Sequence, residues 1–152
     1  MQDGDRLVLG VDGGGSKTVA LLADGDGKVI GRGTGGGANV RALGMAAAGA
    51  AIEAAIDRAF AAAGIARRPC DAICLGLAGA GRPAERALVE AWAAERELAE
   101  RALVRDDAAL VLAAGCPAGW GVAVICGTGS IAVGRAPDGR LARAGGWGYL
   151  LG

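Results

Sequence analysis

Near the start of the chain Asp12 is followed at once by Gly13, Gly14 and Gly15, and then by Ser16, Lys17 and Thr18. A carboxylate beside three glycines and two hydroxyls suits phosphate chemistry. Glycines let backbone N–H groups come close to an anion, Ser16 and Thr18 can donate to phosphate oxygens, and Asp12 offers oxygen to a hard cation such as Mg²⁺. The same residues also fit a tight hairpin turn in which Asp12 caps its own backbone. The pattern is not a P-loop, which needs lysine directly after the second spaced glycine and then a helix, whereas here Ser16 follows Gly15.

Other stretches carry comparable residue types. Gly127-Thr128-Gly129-Ser130 is a second Gly/Thr/Ser loop after an apolar run. Asp106 and Asp107 end another apolar run and precede a helical pattern. Successive side chains of an extended backbone face opposite ways, so only one of the two can act as a general base in a cleft while the other caps the helix or steadies the loop. Gly79, Gly81 and Ala84 satisfy G-x-G-x-x-A between a strand and a helix, which makes a nicotinamide or flavin site the strongest competing motif. It weakens because its strand is not the first of the chain, Pro83 sits inside the motif, and the acidic residue expected about 20 positions on is ambiguous. A formal G-x-G-x-x-G at Gly31, Gly33 and Gly36 lacks a helix opening at the third glycine and reads as accidental.

The elements that must position these groups follow from apolar runs and turn residues. Leu7 to Val11 is a buried strand, Val19 to Ala23 a second, and Asp24 to Gly27 a turn into a third. Helix formers run from Met45 to Ala63, with Ile52, Ile56, Ala59, Phe60 and Ala63 on one face and Gly64 as the stop. Asp71 to Leu77 is a strand, Ala84 to Glu100 an amphipathic helix with Leu88, Trp92 and Leu98 inward, Ala102 to Arg105 a strand, and Ala108 to Ala114 a helix. Strand, strand, strand, helix, strand, helix, strand, helix is the order of an α/β layer with antiparallel leading strands and parallel later ones, in which Asp12, Gly79 and Asp107 fall at carboxyl ends. Trp120 to Arg143 then repeats the opening: strand, Gly/Thr/Ser loop, strand, a Pro137-Asp138-Gly139 turn, strand. That echo favours a pair of phosphate hairpins over two unrelated turns.

With 152 residues there is room for one full domain and the beginning of another, expected at 5–117 and 118–152. The formal net charge of zero leaves no electrostatic footprint for nucleic acid or an anionic membrane. No apolar run reaches about 18 residues free of charge, and the acidic start lacks the features of a signal peptide, so the reading is cytoplasmic. The chain has no histidine, and Cys70, Cys74, Cys116 and Cys126 lack zinc-knuckle spacing, so small buried hydrophobes describe the cysteines best.

A Gly-rich loop between antiparallel strands resembles the sugar kinase, Hsp70 and actin superfamily. The run Gly10-Val11-Asp12-Gly13-Gly14-Gly15-Ser16-Lys17-Thr18, with Asn39, Gly76-Leu77-Ala78-Gly79, Asp106-Asp107-Ala108, Gly127-Thr128-Gly129-Ser130 and Gly145-Gly146-Trp147-Gly148, resembles the BadF/BadG/BcrA/BcrD ATPase family in its N-acetylglucosamine and glucosamine kinase branch. The resemblance implies an actin-like, RNase H-like fold, Mg-ATP as cofactor, and an amino sugar as phosphoryl acceptor. It assigns Asp12, Gly13, Gly14, Gly15, Ser16, Lys17 and Thr18 to a first phosphate loop, with Asp12 holding Mg²⁺ through water. Gly127, Thr128, Gly129 and Ser130 form the second loop, and Asn39, Ala78, Gly79, Asp107, Gly145, Gly146 and Trp147 contact the sugar. Asp107 matches the catalytic base. Family members continue into an acidic sugar motif and an adenosine site, so the chain resembles the N-terminal half of such a kinase, with a homodimer allowed at full length and the fragment expected to be inactive. The alternative within the family is an ATPase activator of the 2-hydroxyacyl-CoA dehydratase or benzoyl-CoA reductase type, which holds an iron–sulfur cluster through loop cysteines. Cys74 and Cys126 fall inside expected strands, which argues against it.

Overall fold

The computed structural model describes residues 6–126 and 130–147. The chain forms two compact units that divide after Asp106. The first unit runs β1 (Leu7–Gly13), β2 (Thr18–Asp24), β3 (Val29–Gly35), α1 (Val40–Ala63), β4 (Cys70–Leu77), α2 (Pro83–Glu95) and β5 (Ala99–Arg105). Its sheet has the order β3-β2-β1-β4-β5, with β1 to β3 antiparallel and β1, β4 and β5 parallel. This is the mixed α/β layer expected from the sequence, and it brings the carboxyl ends of β1, β4 and β5 to one edge.

Alternation along β1 buries Leu7, Leu9 and Val11 and exposes Val8, Gly10 and Asp12. The buried face meets Ile52, Ile56, Ala59 and Phe60 of α1, and Val89 and Trp92 of α2. Burying one such aliphatic or aromatic side chain contributes about 1.5–3 kcal/mol. The opposite face is open in this unit, with Val8, Leu21 and Leu103 between 37% and 45% exposed.

The glycines of β3 have a packing role. A Cβ at Gly31, Gly33 or Gly35 would collide with the carbonyl oxygens of Ala59, Ala55 and Ala51 respectively. Alternate strand positions thus face every fourth residue of α1, and the absent side chains let the helix backbone lie directly on the strand. Gly31 and Gly33 of the G-x-G-x-x-G pattern that reads as accidental in the sequence belong to this contact, and Gly36 does not. The Arg58 guanidinium adds a hydrogen bond to the Thr34 carbonyl.

Two helix boundaries differ from expectation. α1 begins at Val40 rather than Met45, because Asn39 caps a first turn before Gly44 breaks the helix at φ 78°. α2 ends at Glu95 rather than Glu100. The amide of Leu98 folds back to the Ala93 carbonyl and that of Glu97 to Ala94, a C-terminal motif with Glu97 in the left-handed region, and β5 then starts at Ala99. Leu98 is buried as expected, but in the turn, whereas Leu88 is 49% exposed and Val89 is the inward residue.

The second unit contains α3 (Asp107–Gly115), β6 (Gly121–Cys126), β7 (Ser130–Arg135) and β8 (Leu141–Gly145), the strands forming an antiparallel sheet in that order. α3 packs against β6 and β7 and belongs to this second unit. The internal echo extends to the turns. In the first unit Gly27 N–H donates to Asp24 O and Asp24 N–H to Lys28 O; in the second Gly139 N–H donates to Ala136 O and Ala136 N–H to Arg140 O. Gly27 and Gly139 hold φ of 80° and 85°. Among the described residues no helix is long and apolar enough to cross a membrane.

Candidate functional site

The Asp12 loop is a tight connection between β1 and β2, in which Gly14 N–H donates to Lys17 O at 2.9 Å. Gly15, Ser16 and Lys17 stand exposed at its tip, and Asp12 is exposed at the end of β1. Gly13 is buried, and a Cβ there would lie 2.6 Å from Leu77 Cδ2 and 2.9 Å from Ala38 Cβ. Only glycine lets the loop sit this close to the end of β4.

Three backbone segments are tied together here. Ala78 N–H donates to Gly13 O at 2.8 Å, Ala38 N–H to Gly14 O at 2.9 Å, and Val40 N–H to Ala78 O at 3.2 Å. The Thr18 hydroxyl, fully buried, donates to Gly36 O at 2.7 Å. Its one proton is therefore spent holding the loop to the segment before α1, whereas the hydroxyl of exposed Ser16 faces solvent. The first unit thus brings together Asp12 to Thr18, Asn39, Ala78 and Gly79 from the residues singled out in the sequence.

Asn39 is the N-cap of α1: its Oδ1 accepts from Arg41 N–H and Ala42 N–H, each at 3.1 Å. Gly79 holds φ 83°, and a Cβ on it would lie 2.6 Å from Asn39 Oδ1. The sequence reading missed Gly36 and Ala38, whose backbone groups anchor the loop. The run of glycines before Asn39 was the available signal, since close backbone contact demands glycine.

In the second unit Ser130 opens β7 and its carbonyl accepts from Gly146 N–H at 2.7 Å. Gly145 and Gly146 both hold positive φ, and Trp147 is 74% exposed. The structure thus joins Ser130 to the Gly145-Gly146-Trp147 turn; Gly127, Thr128, Gly129 and Gly148 lie outside the described residues. Asp107 opens α3 and its Oδ1 accepts from Ala108 N–H at 3.0 Å. Asp106 ends the first unit just after β5, at the edge where β1 and β4 also finish.

Among the described residues no three His, Cys, Asp or Glu side chains cluster as a metal cage. The four cysteines are free, with Cys70 buried, Cys74 and Cys116 half-buried and Cys126 exposed, so only Cys70 is the fully buried hydrophobe expected.

Known proteins agree with this architecture. The chain is 35% identical over 147 residues to the N-acetylmuramic acid/N-acetylglucosamine kinase of Clostridium acetobutylicum, covering 97% of this chain and 48% of that protein. It is 34% identical to the N-acetyl-D-glucosamine kinase of Dictyostelium discoideum, covering 97% of the chain and 49% of that protein. A Chromobacterium violaceum crystal structure assigned as an N-acetylglucosamine kinase superposes with a TM-score of 0.78 at 31% identity, over 95% of this chain and 50% of that one. A similarly assigned Porphyromonas gingivalis structure, at 23% identity, shares the fold with a TM-score of 0.66, over 97% of this chain and 50% of that one. The chain spans about half the length of the curated relatives it matches. Residues 9–152 match the BadF/BadG/BcrA/BcrD ATPase family throughout, so with its fold and its Asp12 loop in place, the chain belongs to that family.

Proposed function

We propose that this chain is the first half of an ATP-dependent amino-sugar kinase whose acceptor is N-acetylglucosamine or a close derivative. The observation that carries it is the loop after β1, fastened through Gly13 O and Gly14 O to the Ala78 and Ala38 amides, in a chain whose curated relatives are sugar kinases. Gly15, Ser16 and Lys17 present backbone N–H groups, a hydroxyl and an ammonium to phosphate oxygens, and Asp12 would hold Mg²⁺. The metal, when bound with the nucleotide, neutralises charge developing on the transferred phosphoryl group.

The sugar lies beside Asn39, Ala78 and Gly79. With its oxygen committed to the α1 cap, Asn39 has only its Nδ2 hydrogens to give a hydroxyl. Asp107 takes the proton of the attacking hydroxyl, which requires a carboxylate within hydrogen-bond reach of it. Gly127 to Ser130 make the second phosphate loop, and Gly145, Gly146 and Trp147 border the sugar. The test is an assay of ATP turnover, at the protein's full natural length, with and without N-acetylglucosamine or glucosamine. Sugar-dependent turnover that Asp107→Asn abolishes while ATP still binds is the expected result. Turnover indifferent to sugar would place the protein with the ATP-driven activators instead.

A further inference from the structure

We infer that the segment from Gly36 to Leu43 is a strap that couples the two ligands of the candidate site, so that nucleotide and sugar each raise the other's affinity, a deduction that rests on the kinase reading above. The first part of the strap is fastened to the Asp12 loop. Gly36 O accepts from the Thr18 hydroxyl at 2.7 Å, a Cβ on Gly37 would stand 2.3 Å from Gly15 O, and Ala38 N–H donates to Gly14 O at 2.9 Å. The next residues face the other side: Asn39 Oδ1 fills the space beside Gly79, and Val40 N–H donates to Ala78 O at 3.2 Å. An unbroken run from Gly36 to Val40 thus joins the proposed phosphate loop to the proposed sugar subsite.

The bond at Ala38 acts directly on a phosphate donor. The carbonyl of Gly14 and the N–H of Gly15 belong to one planar trans peptide and point in opposite directions. With its carbonyl held by Ala38, that peptide aims the Gly15 N–H away from the strap at the exposed tip of the loop, and among the described residues this N–H has no partner. An anion on the Gly15 N–H polarises the peptide and strengthens the bond that its carbonyl accepts from Ala38, because linked hydrogen bonds reinforce one another. Asn39, the next residue, is then held more firmly, and a sugar on Asn39 steadies the same linkage in return.

Gly44 separates the strap from the remainder of α1. It holds φ 78° and ψ 162°, a region essentially confined to glycine, and a Cβ there would meet nothing within 4 Å, so backbone conformation rather than space requires the glycine. Beyond it, α1 is seated on β3 from Ala51 onward. The strap itself is one piece, with Leu43 Cδ1 3.3 Å from the position of a Cβ on Gly37 and Leu43 N–H donating to Asn39 O at 3.0 Å. Arg41, Ala42 and Leu43 are exposed, which leaves Ala38 and Val40 as its buried anchors. The strap therefore follows the loops it joins while the rest of the helix stays on the sheet.

The experiment measures, by isothermal titration at the protein's full natural length, the Kd of N-acetylglucosamine with and without a non-hydrolysable ATP analogue, and the Kd of the analogue with and without the sugar. In wild type each ligand is expected to tighten the other by the same factor, about fivefold or more. Thr18→Val, which removes the proton that holds Gly36 O, should bring the factor to about twofold or less, and Thr18→Ser should restore it. Gly44→Ala, which favours an unbroken helix through the hinge, should lower the factor as well, and it carries the test if Thr18→Val fails to fold. No mutual effect in wild type, or a factor that the folded variants keep, would overturn the strap and leave the kinase reading standing. Sugar that is neither bound nor phosphorylated would overturn the kinase reading and this inference with it.

Discussion

Asn39 Oδ1 occupies the space in which a side chain on Gly79 would begin, 2.6 Å from the position of a Cβ there. The cap of α1 and the turn after β4 are therefore built against each other, and Gly79 is also held at φ 83°. Gly79→Ala is expected to destabilise the chain by about 2 kcal/mol or more, from left-handed strain added to the clash. Gly10→Ala supplies the control, since a Cβ there meets nothing within 4 Å. Denaturant titrations of the two variants check the contrast; equal midpoints would mean that the Gly79 turn relaxes freely.

Asn39 can be split into its two halves. Asn39→Ala removes the cap and should cost about 1 kcal/mol. Asn39→Asp keeps an oxygen acceptor for the Arg41 and Ala42 amides and loses only the Nδ2 donor. Stability near wild type with a raised KM for sugar in Asn39→Asp would assign the donor to the substrate. An unchanged KM would confine Asn39 to capping.

Asp12 is exposed near the end of β1. Asp12→Asn should leave thermal unfolding within about 0.5 kcal/mol of wild type, as surface substitutions do. On the function proposed above, turnover at full natural length should nevertheless fall by about a hundredfold or more with loss of the charge assigned to Mg²⁺. A variant with normal turnover would reduce Asp12 to a turn residue.

The cysteines differ in chemistry because they differ in burial. Burial pushes the Cys70 thiol up to about 11 from 9.0, only partly opposed by Arg68, and burial raises Cys74 as well. A group whose folded pKa is raised stabilises the protonated native state below its unfolded value. For Cys70 that contribution is full below about pH 9 and is lost as pH rises towards 11. In native protein at pH 8, iodoacetamide should therefore label exposed Cys126 at least about a hundredfold faster than Cys70, with mass spectrometry of the digested protein as the readout. Similar rates would mean that the first unit opens readily.

Much of the first unit was legible because its signals are local. The alternation of Leu7, Leu9 and Val11, the spacing of Ile52, Ile56 and Phe60, and the stop at Gly64 each follow from a short window of sequence. The boundaries that were misread depend on longer relations. The first turn of α1 exists because Asn39 caps it ahead of Gly44, and α2 is cut short because Leu98 turns back to Ala93 and joins the core. At the site, the Asp12 loop was visible from composition. The use of the Thr18 hydroxyl was not, because its partner Gly36 lies 18 positions away across a strand pairing. Gly31, Gly33 and Gly35 were the least legible, since glycines that admit a helix backbone carry the same letters as glycines that admit a phosphate.

The direct seating of α1 on β3 also bears on the order in which the chain folds. β3 and α1 are neighbours in sequence and form the most extensive packing between any two elements, so their contact closes only a short stretch of chain. Short closures cost little conformational entropy, which favours this pair, with β2 beside it, as the nucleus. Ile52→Val in α1 should then slow refolding, whereas Val104→Ala in β5 should chiefly speed unfolding, a difference that stopped-flow kinetics resolves. On this order the Thr18 and Asn39 sides of the candidate site form with the nucleus. Ala78 and Gly79 close it only when β4 inserts beside β1, so the Asp12 loop gains its last anchor late.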